Sequence, residues 1–475
     1  MQKASSFLWL IATCCCIGIG LLGTGCANIV PPQGGPRDTI PPRLINVVPA
    51  DASTRVTTRT IQLYFDEYIE VQQGQDNLLI SPLPTIAPVI ESKLRDLTVK
   101  LKDSLLPNTT YTIDFGNTVK DFTEGNIAKG LRYVFSTGNY LDSLELYGTV
   151  QLAETGRVDS TLVVILHKDS TDSALIKSKP YYLSKLDRNG RFHFRHLPRE
   201  RFFIYALKDE GGSRRLVKNS QLMAFADLAV FPDLQQDSIR LLAFAAEKEA
   251  APAFEPPGSD KAKGKTNSDK RIRFQTNLVN NQQDLLQPLQ LTFENPLLTV
   301  IDSAIRLYTD SVFAPIDSVD ATIDSTKKVI RIQPRWIEGK SYHVILTKGA
   351  ISDSAGKTLL KTDTLDFTTK RKTDYGKVKL TLRGLDLNAQ PVLQWIQNEK
   401  LISQIALSTP SFTDELFVPG DYQLRILFDA NGNGRWDTGQ FFGTRRQPER
   451  VLALDKKISI KPGWTNEYEI DVNGR

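Results

Sequence analysis

The chain repeats itself. "LLPNTTYTIDFGNTVKDFTEGN" (105–126) and "WIEGKSYHVILTKGAISDSAGK" (336–357) share one pattern of apolar, hydroxyl and turn-forming residues. The spacing is kept as well. Tyr111 to Asp121 is 10 residues and Tyr342 to Asp353 is 11, while Asp121 to Phe135 and Asp353 to Phe367 are both 14. "LYFDEYIEV" (63–71) and "LRYVFSTG" (131–138) have counterparts in "LTFENPLLTV" (291–300) and "LDFTTK" (365–370). A period this long means duplicated domains, since solenoid repeats are much shorter. Any fold must therefore be one that the chain can build twice.

The local pattern says what is built. "RTIQLYFDEYIEV" (59–71), "LTVKLKD" (97–103) and "TTYTIDFG" (109–116) alternate apolar with polar residues and are rich in Thr, Val, Ile, Tyr and Phe. Period-two runs bounded by Gly, Pro, Asn and Asp are strands joined by turns. Beyond residue 25 no helical pattern exceeds a turn or two. A second pair of segments is also alike: "FRHLPRERFFIYALKDEGG" (194–212) and "LFVPGDYQLRILFDANGNG" (416–434). In both, a proline turn leads into an apolar strand that ends at Asp209 or Asp429. The expected fold class is all-β: tandem antiparallel β-sandwiches in an A-B-linker-A-B array. The expected domains are 39–139, 140–246, 272–371 and 372–475. A flexible linker at 247–271, rich in Ala, Pro, Gly, Ser and Lys, joins the two halves.

All four cysteines, Cys14, Cys15, Cys16 and Cys26, fall within the first 26 residues. The amino end has a basic start at Lys3, an apolar run from about Phe7 to Leu22 and small residues before Cys26. That is the layout of a secretory signal, residues 1–25. As a membrane span the run is short and broken by glycines. Cleavage before Cys26 would leave that cysteine first in the mature chain, and 26–38, rich in proline and glycine, reads as a tether. The domains then contain no cysteine and depend on their cores alone. Without Lys3 there are 58 Lys and Arg against 54 Asp and Glu. So even a balance argues against nucleic acid as a partner, because such binders gather a basic face. The basic clusters, Arg214-Arg215 with Lys218 and Arg445-Arg446, are short and read as solvated turns.

Thr24-Gly25-Cys26 resembles the lipobox of bacterial lipoproteins, which implies diacylation of Cys26 and anchoring to a membrane; Gly23 stands where that family usually has leucine. "PPRLINVVPADAS" (41–53), "IQLYFDE" (61–67) and "YVFSTG" resemble the S-layer-type bacterial Ig-like domains common in lipoproteins of Bacteroidota. "LYGTVQ" (146–151), "LDRNGRFHFRHLPRERFFIYALKD" (186–209) and "MAFAD" (223–227) resemble the carboxypeptidase-regulatory, transthyretin-like sandwich. These resemblances imply folds. They imply no activity, because such modules serve as spacers, adhesins and binding surfaces alike. In that lineage surface-exported lipoproteins often carry an acidic run after the cysteine. Here the first acidic residue after Cys26 is Asp38, which favours the periplasmic face of the outer membrane over the cell surface.

"DANGNGRWDTGQ" (429–440) is the sharpest chemical signal. Asp429, Asn431, Asn433, Gly434 and Asp437 occupy positions 1, 3, 5, 6 and 9 of a calcium loop, where oxygen side chains converge on a hard cation. Gln440 stands where the bidentate glutamate belongs. The same residues also suit a hairpin turn, with Asn-Gly supplying positive φ. A bound calcium ion would be structural. Asp121, Glu124 and Asn126 form a second acidic turn, expected to be solvated. Trp436, Phe441 and Phe442 offer either a sugar-stacking platform or a cover for the sandwich end. His193 and His196, three apart in a strand, point to opposite faces and cannot share a metal. No Gly-x-Ser-x-Gly, His-Glu-x-x-His or phosphate loop occurs. The expectation is a non-catalytic, lipid-anchored cell-envelope scaffold, touching envelope proteins or glycans. A glycan- or protein-recognition lipoprotein binding through its C-terminal domain is the alternative.

Overall fold

The computed structural model describes residues 37–72, 78–234, 237–247, 271–309, 312–316 and 321–473. Cys26, the signal segment, most of the tether and most of the linker lie outside the described residues. Strands dominate, and the sole α-helix among the described residues is α1, Asp172–Lys177. The described residues group into two compact units: those up to Ser143 with His196–Pro198, and the others.

The first unit holds module I, a two-sheet sandwich. One sheet runs Leu44–Val48, Thr60–Phe65, Asp96–Lys100, Val89–Lys93 in spatial order; the other runs Leu79–Ser81, Thr110–Asp114, Arg132–Ser136. A two-stranded ribbon, Ile69–Val71 with Val119–Asp121, completes it. The alternation seen in the sequence is what builds the core. Ile61, Leu63 and Phe65 point inward together, facing Tyr111, Ile113 and Phe135.

Module III, in the second unit, repeats this plan. Its sheets are Phe274–Thr276, Leu289–Phe293, Val329–Ile332, Ala321–Ile323, and Gln282–Gln283, Asp363–Thr369, Ser341–Leu346, Ile305–Thr309, Ala314–Pro315. The ribbon returns as Leu297–Val300 with Ile351–Asp353. The shared spacing has a physical cause in one corner of each module. Tyr111 Oη accepts from Leu106 N at 2.8 Å, and Tyr342 Oη accepts from Ile337 N at 3.1 Å. Thr137 Oγ1 accepts from Thr109 N and donates to the Leu106 carbonyl; Thr369 Oγ1 does the same with Lys340 N and the Ile337 carbonyl. Each tyrosine thus ties a loop to the sheet it starts, and its distance from that loop cannot drift.

Modules II and IV share a second plan of three strands packed on four. In module II, Arg191–Leu197, Leu144–Leu152 and Ile239–Ala243 face Tyr182–Lys185, Leu162–His167, Phe203–Lys208 and Met223–Phe225. In module IV, Ser411–Phe417, Gly376–Arg383 and Thr465–Asp471 face Lys400–Ala406, Pro391–Gln397, Gly420–Phe428 and Arg450–Ile460. Antiparallel pairing prevails. Among the described strands, the parallel pairs are the last two strands named in the three-stranded sheets of modules II and IV, and Gln282–Gln283 with Asp363–Thr369.

Module IV is joined closely to both of its neighbours within the second unit. Buried Tyr375 accepts from Leu285 N of module III at 2.7 Å, and Lys370, paired with Asp284 at 2.9 Å, lies over its ring. Module II meets module IV along a longer seam.

Candidate functional site

Strand Gly420–Phe428 delivers Asp429 into the oxygen-rich loop, and the loop closes around its carboxylate. Asp429 is 2% exposed. Its Oδ1 accepts from Gly432 N and Asn433 N, and its Oδ2 from Gly434 N. Gly432 and Gly434 adopt positive φ, as the Asn-Gly pairs foretell. Asn431 and Asn433 both turn Nδ2 toward Asp437 Oδ2, while their Oδ1 atoms accept from Asn433 N and Arg435 N. Glu449, which sequence reasoning missed, bridges the loop by accepting from Ala430 N at 2.8 Å and Asp437 N at 3.0 Å. The arrangement seen is a hydrogen-bonded turn in which two amides converge on one carboxylate oxygen. Among the described residues no group of three or more His, Cys, Asp or Glu side chains is placed to hold a metal ion.

The same stretch of chain then enters module II. Phe441 is 1% exposed, and its ring meets Tyr205 at 5.7 Å and Phe225 at 5.4 Å. Arg445 lies 4.9 Å above it and pairs with Asp172 at the start of α1. Gln447 donates to the Phe225 carbonyl and to Asp227, and Thr438 donates to the Ala245 carbonyl. Farther along the seam, Arg157 reaches Glu399 and Gln423. Val451 N donates to the Ala153 carbonyl at 2.9 Å, so a turn of module II covers the outer edge of strand Arg450–Ile460. Gly156 has φ +67°, and a Cβ there would stand 2.6 Å from Val451 O and Ala453 N. The contact requires glycine.

Two expectations change, and the aromatic trio falls on the covering side of its two readings. Phe441 is no exposed stacking platform, and Trp436 packs on Val392, Leu427 and Val451 with Nε1 donating to the Glu449 carbonyl. Arg445 is not a solvated turn residue, because it spans two modules. The Asp121 turn is not solvated either: Asp121 is 1% exposed and accepts from Glu124 N, Gly125 N and Asn126 N. Burial pushes its carboxyl up, but those three backbone donors outweigh it and hold the group below the usual range. Asp353 repeats the device in module III, accepting from Ala355 N, Lys357 N and Asn295 Nδ2.

The remaining candidates are placed apart. Asp209 accepts from the Ser213 hydroxyl, His193 pairs with Glu145 at 2.7 Å, and His196 meets the Asp142 carbonyl at 3.0 Å. His167, in strand Leu162–His167, is buried at 2% exposure with Nε2 unpartnered. Burial drives its pKa down to about 4, with Asp169 opposing. No helix among the described residues is long and apolar enough to cross a membrane.

This is an all-β array whose residues 38–137 match the family model of the bacterial Ig-like domain, Big_5. No curated protein matches the chain. Similar solved structures include the N-terminal part of the bacterial S-layer protein SbsC, at 15% identity over 37% of this chain and 42% of that one, with a TM-score of 0.16. The Bacillus anthracis TIE protein is 11% identical over 93% and 76%, with a TM-score of 0.18. BcpA, the major pilin subunit of Bacillus cereus, is 9% identical over 70% and 99%, with a TM-score of 0.16.

Proposed function

We propose that this is a non-catalytic scaffold of the cell envelope, anchored by lipid at Cys26 and working by holding its modules in fixed relation. The seam between modules II and IV carries this reading. Its aromatic plug, ion pairs and covered strand edge lock together two sandwiches that are separated in sequence by a linker and a whole module. The buried acids at Asp121, Asp353 and Asp429 are spent on closing turns, and the buried aromatic residues on joining modules. Lipid attachment at one cysteine explains why a chain with no other mature thiol keeps one there, and two acyl chains anchor stably where one does not. The periplasmic face of the outer membrane is the proposed place, with envelope proteins or glycans as the contacts, and modules II and IV as transthyretin-like sandwiches.

Calcium enters the proposal as a structural ion. The observation that favours it is the convergence of Asn431, Asn433 and Asp437, with Glu449 supplying the carboxylate that Gln440 does not. Turning both amides over would present Oδ1 to the same point, with the ion replacing the hydrogen bonds that Oδ1 now accepts from Asn433 N and Arg435 N. The ion would then brace the loop that leads into Phe441.

Protease shaving of intact against lysed cells, followed with an antibody to module IV on denaturing gels, tests the location. The linker is the expected cut site. Protection until lysis supports a periplasmic scaffold. Cutting on intact cells would put the protein on the surface and make recognition of glycans or other cells the better account.

A further inference from the structure

Module I and module III share one backbone plan, so the side chains in which they differ are informative. At one end of module I three large apolar residues stand in solvent: Tyr68 at 52% exposure, Leu94 at 64% and Phe122 at 66%. Backbone hydrogen bonds draw them together. Phe122 N donates to the Tyr68 carbonyl, and Ile69 N donates to the Leu94 carbonyl. The guanidinium of Arg95 lies over the Tyr68 ring at 5.3 Å.

Module III makes the same two bonds, from Ser354 N to the Pro296 carbonyl and from Leu297 N to the Lys327 carbonyl. Even the positive φ is repeated, 57° at Leu94 and 56° at Lys327. The residues in the three places are Pro296, Lys327 and Ser354, all exposed. The fold therefore does not ask for apolar side chains there. Only the first copy has them.

The first copy is also the one that the leading segment enters, and it enters at this end. Arg37 donates to the Glu124 carbonyl, two residues past Phe122, and Asn126 donates to the Asp38 carbonyl. Residues 27–36 cannot span more than about 35 Å even fully extended. A lipid at Cys26 would hold this end close to the bilayer.

We propose that the face made by Tyr68, Leu94 and Phe122 is a second membrane contact, which seats module I on the lipid surface; it rests on the anchor at Cys26 proposed above. Aromatic rings with a cation beside them suit the boundary between headgroups and acyl chains, where Tyr has one end in each medium. Lys93, Arg95 and Lys120 lie within two residues of the face in sequence, with Arg37 and Arg43 on the leading segment, against Asp38, Asp66, Glu67, Glu70, Asp96, Asp121 and Glu124, and Lys120 is paired with Glu70. No cationic excess draws the face to anionic headgroups, which leaves apolar contact to set the affinity, so binding should not rise with the fraction of anionic lipid.

The test uses residues 26–475 carrying Cys26→Ser, co-sedimented with vesicles of phosphatidylethanolamine and phosphatidylglycerol. Its partner is the same chain with Tyr68→Pro, Leu94→Lys and Phe122→Ser, residues that this backbone already accommodates in module III. The transplant is expected to lower the partition coefficient about tenfold or more, as removal of three insertable side chains should. Equal binding by both chains would overturn the proposal. So would a dimer in sedimentation velocity that the transplant dissolves, since the face would then join two copies. Mass spectrometry of the native amino-terminal peptide separates the two ideas. An unacylated Cys26 removes the anchor and leaves the vesicle result standing, whereas an acylated Cys26 with no difference between the chains removes the face.

Discussion

Phe441→Ala should open the seam between modules II and IV. The ring is buried, touches Tyr205, Phe225 and Phe442, and lies under the Arg445 guanidinium. Truncating a fully buried phenylalanine costs about 3–5 kcal/mol through lost transfer energy and the cavity left behind. Taking roughly 3 kcal/mol for a seam that can partly close, an association across it should weaken about 150-fold. The linker makes this measurable. Cutting it with protease yields one fragment ending in module II and another holding modules III and IV. The wild-type fragments should co-elute in size exclusion, and the Phe441→Ala fragments should separate at a concentration on the order of a hundred times higher. Phe442→Ala is the control, since Phe442 is only half-buried and should cost about 1 kcal/mol. If the cut Phe441→Ala halves stay together down to the same dilution as wild type, the seam does not join the modules as described.

Acid should weaken the second unit through His167. The unfolded chain takes up a proton below about pH 6.5, but the folded site refuses it until about 4, so stability present above pH 6.5 is lost as pH falls between those values. The loss reaches about 3 kcal/mol at most, and His167→Leu should flatten that slope in urea titrations from pH 7.5 to 4.5. Asp121→Ala leaves the N–H groups of Glu124, Gly125 and Asn126 without their acceptor and should cost about 2–3 kcal/mol. Calorimetry should show this in the unit holding module I, with the transition of the other unit unmoved. Calcium at 10 mM should stabilise the chain by about 1.4 kcal/mol if its Kd is near 10⁻³ M, and Asp437→Ala should abolish the gain. No shift in melting temperature at that concentration would leave the loop a hydrogen-bonded turn alone.

The sandwiches were legible because alternation is local. Ile61, Leu63 and Phe65 declare the inner face of their strand without reference to anything distant. The duplication was legible because the Tyr111 and Tyr342 corners fix their spacing to a neighbouring loop. The seam could not be read in this way. Phe441 lies in a turn-rich stretch with no period, and its partners Tyr205 and Phe225 are more than 200 residues away. Asp121 misled for another reason. A carboxylate in a turn reads as solvated on charge alone, and only folded geometry aims three N–H groups at it. At the 429–440 loop the turn was visible in its Asn-Gly pairs. Which amide atom faces Asp437 is a matter of rotation about one bond, and composition does not encode it.

The seam also sets how this chain would bear a pull. Tension between an anchored amino end and the carboxyl end would pass from module II straight into module IV. The covalent path through residues 248–270 and module III would lie outside that line of load. Were the seam to give way, the 23 residues at 248–270 would pay out up to about 80 Å of chain before that path came taut. Were it to part before any sandwich did, the junction would act as a fuse that lengthens the molecule and spares the sandwiches from unravelling.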